Sequence, residues 1–148
     1  MIMSKAINRL IKAINIENGL TVEDLYAYTA SMMFDYWEHK EKLEQVKKSE
    51  YLAKKIIEIE NNERAYDNYF FVLVNSNQIK KAYINSKKLL KTEKFRSLAL
   101  RNLSDKIFVE RGFMSNDDRI KVLKTRLEKS EDEKERKYVL GLLREYNR

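Results

Sequence analysis

Tyr69-Phe70-Phe71-Val72-Leu73-Val74 is the stretch on which the fold turns. Its β-branched and aromatic content suits a strand. A strand needs a partner, however, and no other stretch of the 148-residue chain reads as one. Asn68 and Asn75 bracket the segment. It is therefore read as the buried end of a helix, and the fold class follows as all-α.

The rest of the chain agrees with that choice. Sheet folds spend Gly and Pro on their turns, and this chain has 3 Gly and no Pro. Helix-start signals recur instead. Thr21-Val22-Glu23-Asp24, Ser115-Asn116-Asp117-Asp118 and Ser130-Glu131-Asp132-Glu133 each place a hydroxyl three residues before a carboxylate. A hydroxyl at the N-cap accepts from a free backbone N–H, and the later acid reaches back to the cap. Only the third has the preferred Glu. Gly19 and Gly112 mark helix stops, because Gly takes the left-handed conformation cheaply. Phe113 suits the apolar contact that accompanies such a stop.

Between these marks, apolar residues fall at helical spacing. Ile7, Leu10, Ile11 and Ile14 predict a helix near 4–17. Leu25, Tyr28, Met32, Tyr36, His39, Leu43 and Val46 predict one long helix from 22, ending near Ser49 or running to about 60. Others are predicted near 77–91 and over 93–111, the latter apolar on most sides and hence central. Ile120, Leu123 and Leu127 form one seam. Tyr138, Val139, Leu142, Leu143 and Tyr146 form another. The Ser130 cap leaves little room for a loop between them, so they should form an antiparallel hairpin. The expectation is a compact bundle of about six helices. It would be a single all-helical domain over 1–148, with a possible subdivision into 1–62 and 63–148.

The net charge of +7 is local. Residues 79–111 hold ten basic and three acidic side chains, and the remainder of the chain balances. At about 100° per residue, Lys80, Lys81, Lys87, Lys88 and Lys91 fall on one side of a helix. Ile79, Ala82, Tyr83, Leu89 and Leu90 face the other way. Arg96, Arg101 and Arg111 follow, more scattered. A dense cationic face suits a polyanion, since neutralising phosphates releases counterions. A plain solvated surface would present the same lysines.

Chemistry is narrowed by elimination. With no Cys and a single His, His39, a His-rich or Cys-bearing zinc site cannot be built. A di-iron bundle needs two Glu-x-x-His motifs, and Tyr36 stands where that Glu would precede His39. There is no Gly-rich phosphate loop. His39 falls on the apolar seam and is read as a partly buried structural histidine. Acid clusters such as Glu38, Glu41 and Glu44 lie among lysines, the pattern of a solvated helix face.

Two functions follow, neither enzymatic and neither using a cofactor or metal. The first is a helical module that contacts nucleic-acid backbone, or sits in a nucleoprotein assembly, through Lys80, Lys81, Lys87, Lys88, Lys91, Arg96, Arg101 and Arg111. The second is a protein-binding adaptor or inhibitor of the kind phages and plasmids encode. It would use Tyr26, Met33, Phe34 and Trp37, or dock the lysine face on an acidic partner, because Tyr, Trp and Met are favoured at interfaces. No apolar run is long enough to span a bilayer, and no signal-peptide core is evident. A cytoplasmic protein without membrane contact is expected.

Overall fold

The computed structural model describes residues 21–147. The helix expected near 4–17, with its stop at Gly19, lies outside the described residues. Those described are all-α: eight α-helices and no strand. They divide into two compact units, one through Asn77 and one from Gln78 onward.

The first unit holds α1 (Val22–Glu38), α2 (Leu43–Glu60) and α3 (Glu63–Asn75). Thr21 caps α1 through a complete capping box. Its hydroxyl accepts from the Asp24 N–H at 3.2 Å, and Asp24 accepts from the Thr21 N–H at 2.8 Å. Asp in place of Glu is sufficient.

The single long helix expected from residue 22 does not form. The chain leaves the helix at His39 and re-enters it at Leu43. In a straight helix Leu25 and Leu52 would stand about 40 Å apart, at 1.5 Å per residue. The reversal brings them into one core with Ile56 and Ala65. Its hinge is held at Asp35, whose carboxylate accepts from Lys42 Nζ at 3.1 Å and from Gln45 Nε2.

The buried stripe of α1 is Leu25, Thr29 and Met33 rather than Leu25, Tyr28 and Met32. Tyr28 is 42 % exposed, and Leu43 is exposed as well. Thr29 is tolerated inside because its hydroxyl donates to the Leu25 carbonyl at 2.8 Å. Ser49 on α2 does likewise toward Gln45 at 2.7 Å. Hydroxyls that bond back to the preceding turn are satisfied without leaving the core.

α2 stops at Asn61, which takes the left-handed conformation at φ 44°. Asn62 then caps α3 by accepting from the Ala65 N–H at 2.9 Å. The Tyr69–Val74 segment is the second half of α3. Ala65, Tyr69, Val72 and Leu73 are its buried face. Burial pushes the Tyr69 phenol up to about 12.

The second unit contains α4 (Ile79–Leu90), α5 (Arg96–Leu103), α6 (Ile107–Glu110), α7 (Asn116–Lys129) and α8 (Glu133–Arg144). A 3₁₀ turn, Glu145–Asn147, follows α8. α5 is the central helix, as expected: Leu98, Ala99, Leu100, Asn102 and Leu103 are all buried, and α4 and α7 both pack on it.

The helix expected over 93–111 is broken at Ser104–Lys106. Ser104 Oγ bonds back to the Leu100 carbonyl at 2.7 Å, and Asp105 Oδ1 accepts from the Ile107 N–H at 3.0 Å. These short polar side chains offer the backbone an alternative to a continuous helix.

α6 ends where Gly112 predicts. Gly112 has φ 80°. The Phe113 N–H reaches the Phe108 carbonyl at 2.8 Å, and the Gly112 N–H reaches Val109 at 3.0 Å. That pair of bonds is the Schellman stop. Ser115 and Asp118 then form a second capping box.

α7 and α8 pack together as a hairpin. The cap lies two residues later than expected. Asp132, not Ser130, accepts from the Lys134 N–H at 2.9 Å. Ser130 ends α7 and donates its hydroxyl to Glu135 at 2.7 Å.

Candidate functional site

α4 presents the lysine face as its sequence spacing requires. Ile79, Ala82, Ser86 and Leu89 are buried, whereas Lys80, Lys81, Lys87, Lys88 and Lys91 are exposed. Ile84, 44 % exposed, stands among them. It is an apolar residue on the cationic side that the spacing also allowed but that the sequence reading left unassigned. Tyr83 anchors the opposite side of α4. Its ring stacks on Phe113 and meets Phe108 edge-on.

Acids are sparse around this face: the segment from Ile79 to Thr92 contains none. Several cations on other helices pair with acids: Lys42 with Asp35, Lys55 with Glu58, Arg64 with Glu23, Lys106 with Glu145 and Arg126 with Glu135. Among the described residues, Lys80, Lys88 and Lys91 enter no such pair. Lys87 is near enough to Asp118 to help hold that carboxyl below its ordinary range, although the Ser115 N–H and hydroxyl do most of it.

The arginines expected to assist are placed differently. Arg96 is half-buried and donates Nε to the Leu90 carbonyl at 3.3 Å, closing the end of α4. Arg101 lines a separate cleft with Arg119 and Arg126. Arg111 is exposed at the end of α6.

The aromatic candidates also separate. Met33 is fully buried and belongs to the core of the first unit. Tyr26 donates its hydroxyl to Glu60 at 2.8 Å and lies under the Arg64 guanidinium, 4.0 Å from the ring centre. Burial, then this bond to Glu60, raises the Tyr26 phenol well above its ordinary range. Phe34 remains outward at 58 % exposure and packs edge-on against Trp37 at 5.2 Å. Trp37 in turn meets Phe71 of α3 at 5.7 Å. Phe71 escaped the sequence reading because its neighbours in space are more than thirty residues away in the chain.

His39 is exposed rather than partly buried, with Nδ1 3.7 Å from Glu41. The reversal after α1 carries it off the seam. No group of three or more His, Asp or Glu among the described residues is arranged to hold a metal ion. No helix among them is long and apolar enough to cross a membrane. Set against known protein families, curated proteins and solved structures, the chain matches none of them.

Proposed function

We propose that this protein is a non-enzymatic helical module that contacts nucleic-acid backbone, alone or within a nucleoprotein assembly, through the lysine face of α4. One observation carries the reading. Five exposed lysines share one side of α4 and its C-cap, within the 79–111 stretch that holds the whole charge excess of the chain. Lysine is a flexible point charge suited to phosphate contact. Such contacts give affinity without reading bases. The test is binding of the full chain to generic duplex DNA and to RNA at two salt concentrations. Binding at low salt that falls steeply as salt rises supports the reading, because counterion release governs it. Absence of binding at low salt sinks it.

A second reading rests on the first unit. Phe34, Trp37 and Phe71 form an aromatic cluster with an outward ring, the composition favoured where proteins meet. In this reading the protein is an adaptor or inhibitor. Phe34→Ala should then reduce recovery of a partner in pull-down experiments, and unchanged recovery would count against it.

A further inference from the structure

The second unit contains a cleft of about 400 Å³ that is separate from the lysine face. Arg101, Lys106, Arg119 and Arg126 all contribute to its lining, against one acid, Asp105. Arg119 forms its floor, with only 2 % of its surface exposed. Its Nε donates to the Ser104 carbonyl at 2.8 Å, and its Nη1 donates to the Tyr146 hydroxyl at 2.6 Å. Both partners are neutral. Among the described residues no carboxylate pairs with Arg119. Its cationic neighbours are different: Arg126 has Glu135 at 3.0 Å, Lys106 has Glu145 at 3.1 Å, and Arg101 also acts on the Glu135 carboxylate.

A buried cation without a counter-charge is expensive. Ser104 closes α5, so its carbonyl brings the negative end of that helix to Arg119. That supplies only a partial charge. It satisfies Nε, the Tyr146 hydroxyl takes one Nη1 hydrogen, and Nη2 is left for another acceptor. A planar fork suits the oxygens of a phosphate. Arg101 and Lys106 at the exposed rim add charge for a group bearing more than one negative oxygen, and the Tyr138 hydroxyl adds a donor.

We propose that this cleft is a binding site for a phosphate group, as a free phosphate or pyrophosphate or as a terminal phosphate monoester. Arg119 is its floor ligand, and Arg101 and Lys106 close over the group from the rim. The site is independent of the α4 face.

The test is calorimetric and NMR titration of the full chain with inorganic phosphate and with pyrophosphate. Saturable shifts at Ser104, Arg119 and Tyr138 are expected, together with a rise in Tm as ligand binds the folded state alone. Arg101→Gln, a change at the rim, should weaken binding about tenfold while the fold is retained. Arg119→Lys keeps the charge, removes the fork and should weaken binding at least as much. Lys80→Glu should leave it unchanged. A 5′-phosphorylated oligonucleotide that saturates the cleft while its 5′-hydroxyl counterpart does not identifies a nucleic-acid end as the source. Saturation by pyrophosphate alone identifies a free anion. The proposal is overturned if phosphate and pyrophosphate produce no saturable shift at these residues, or if Arg101→Gln binds them as wild type does.

Discussion

The Tyr83 ring stacks on Phe113 with 5.7 Å between centroids and 26° between planes. Phe108, fully buried, meets the same tyrosine edge-on at 5.4 Å. α4, which carries the lysines, is thereby fastened to the turn that Gly112 makes. Phe108→Ala should cost about 3–5 kcal/mol, the usual loss for deleting a buried aromatic. Tyr83→Ala should cost less, since its ring is only half-buried, yet more than its area alone predicts, because two ring contacts are lost. Chemical denaturation of the variants measures both. A loss below about 1 kcal/mol for Phe108→Ala would mean that this packing does not hold the unit.

Two glycines of the same unit should respond oppositely to alanine. Gly112 has φ 80°, and a Cβ there would meet nothing within 4 Å. The cost is therefore conformational alone, about 1–2 kcal/mol. Gly141 lies inside α8 and also has open space for a Cβ. There alanine should stabilise by about 0.5–1 kcal/mol, because glycine loses more freedom in a helix. Thermal unfolding of the two variants should shift Tm in opposite directions, and shifts of the same sign would contradict the assigned backbone.

Acid should destabilise the second unit in a way traceable to Glu135. The Ser130 hydroxyl, and then Arg126, hold its carboxyl below the ordinary value of 4.5. A folded-state value below the unfolded one means that the ionised form favours folding. The contribution is present above about pH 4.5 and is lost as pH falls through the depressed value. Asp118 acts in the same direction through Ser115. Glu135→Gln should flatten the fall in stability below that pH. Acid unfolding curves that superimpose on wild type would exclude the pair as a source.

The lysine face allows a substitution whose effect on binding cannot be attributed to unfolding. Lys80 lies in the first turn of α4, a turn that contains no acid. Glutamate there favours the helix dipole by about 0.3–1 kcal/mol. Lys80→Glu should therefore hold or raise Tm while weakening DNA or RNA binding. Adding Lys91→Gln should reduce the slope of log affinity against log salt by about 0.9 for each phosphate contact removed. An unaltered slope would place the contact elsewhere.

Much of the fold was legible from residues close together in the chain. The hydroxyl–carboxylate pairs at Thr21 and Ser115 mark helix starts, and Gly112 with Phe113 marks a stop, because caps are settled within a few residues. The Tyr69–Val74 segment resolves as helix, and no strand lies among the described residues to pair with it. The third cap lies at Asp132 rather than Ser130, because Ser130 still closes the preceding helix and its hydroxyl donates to Glu135. The five-lysine face of α4 was legible for a similar local reason: side-chain direction on a helix follows from spacing alone.

The chain by itself thus determined an all-α protein with a local cationic face. Tertiary structure decided where the helices reverse and which polar groups go inside. The reversal at His39–Lys42 carries no glycine or proline; it brings Leu25 into one buried cluster with Leu52, Ile56 and Ala65. Thr29 and Ser49 enter the core because their hydroxyls bond to the preceding turn. Phe71 joins Phe34 and Trp37 only across packed helices. Arg119 lies on α7 and is buried, with 2 % of its surface exposed. Its burial is set by Ser104, fifteen residues before it, and Tyr146, twenty-seven after it. Periodicity reports which face of a helix is apolar, but the placement of a charge depends on partners that only the folded chain brings within hydrogen-bonding distance.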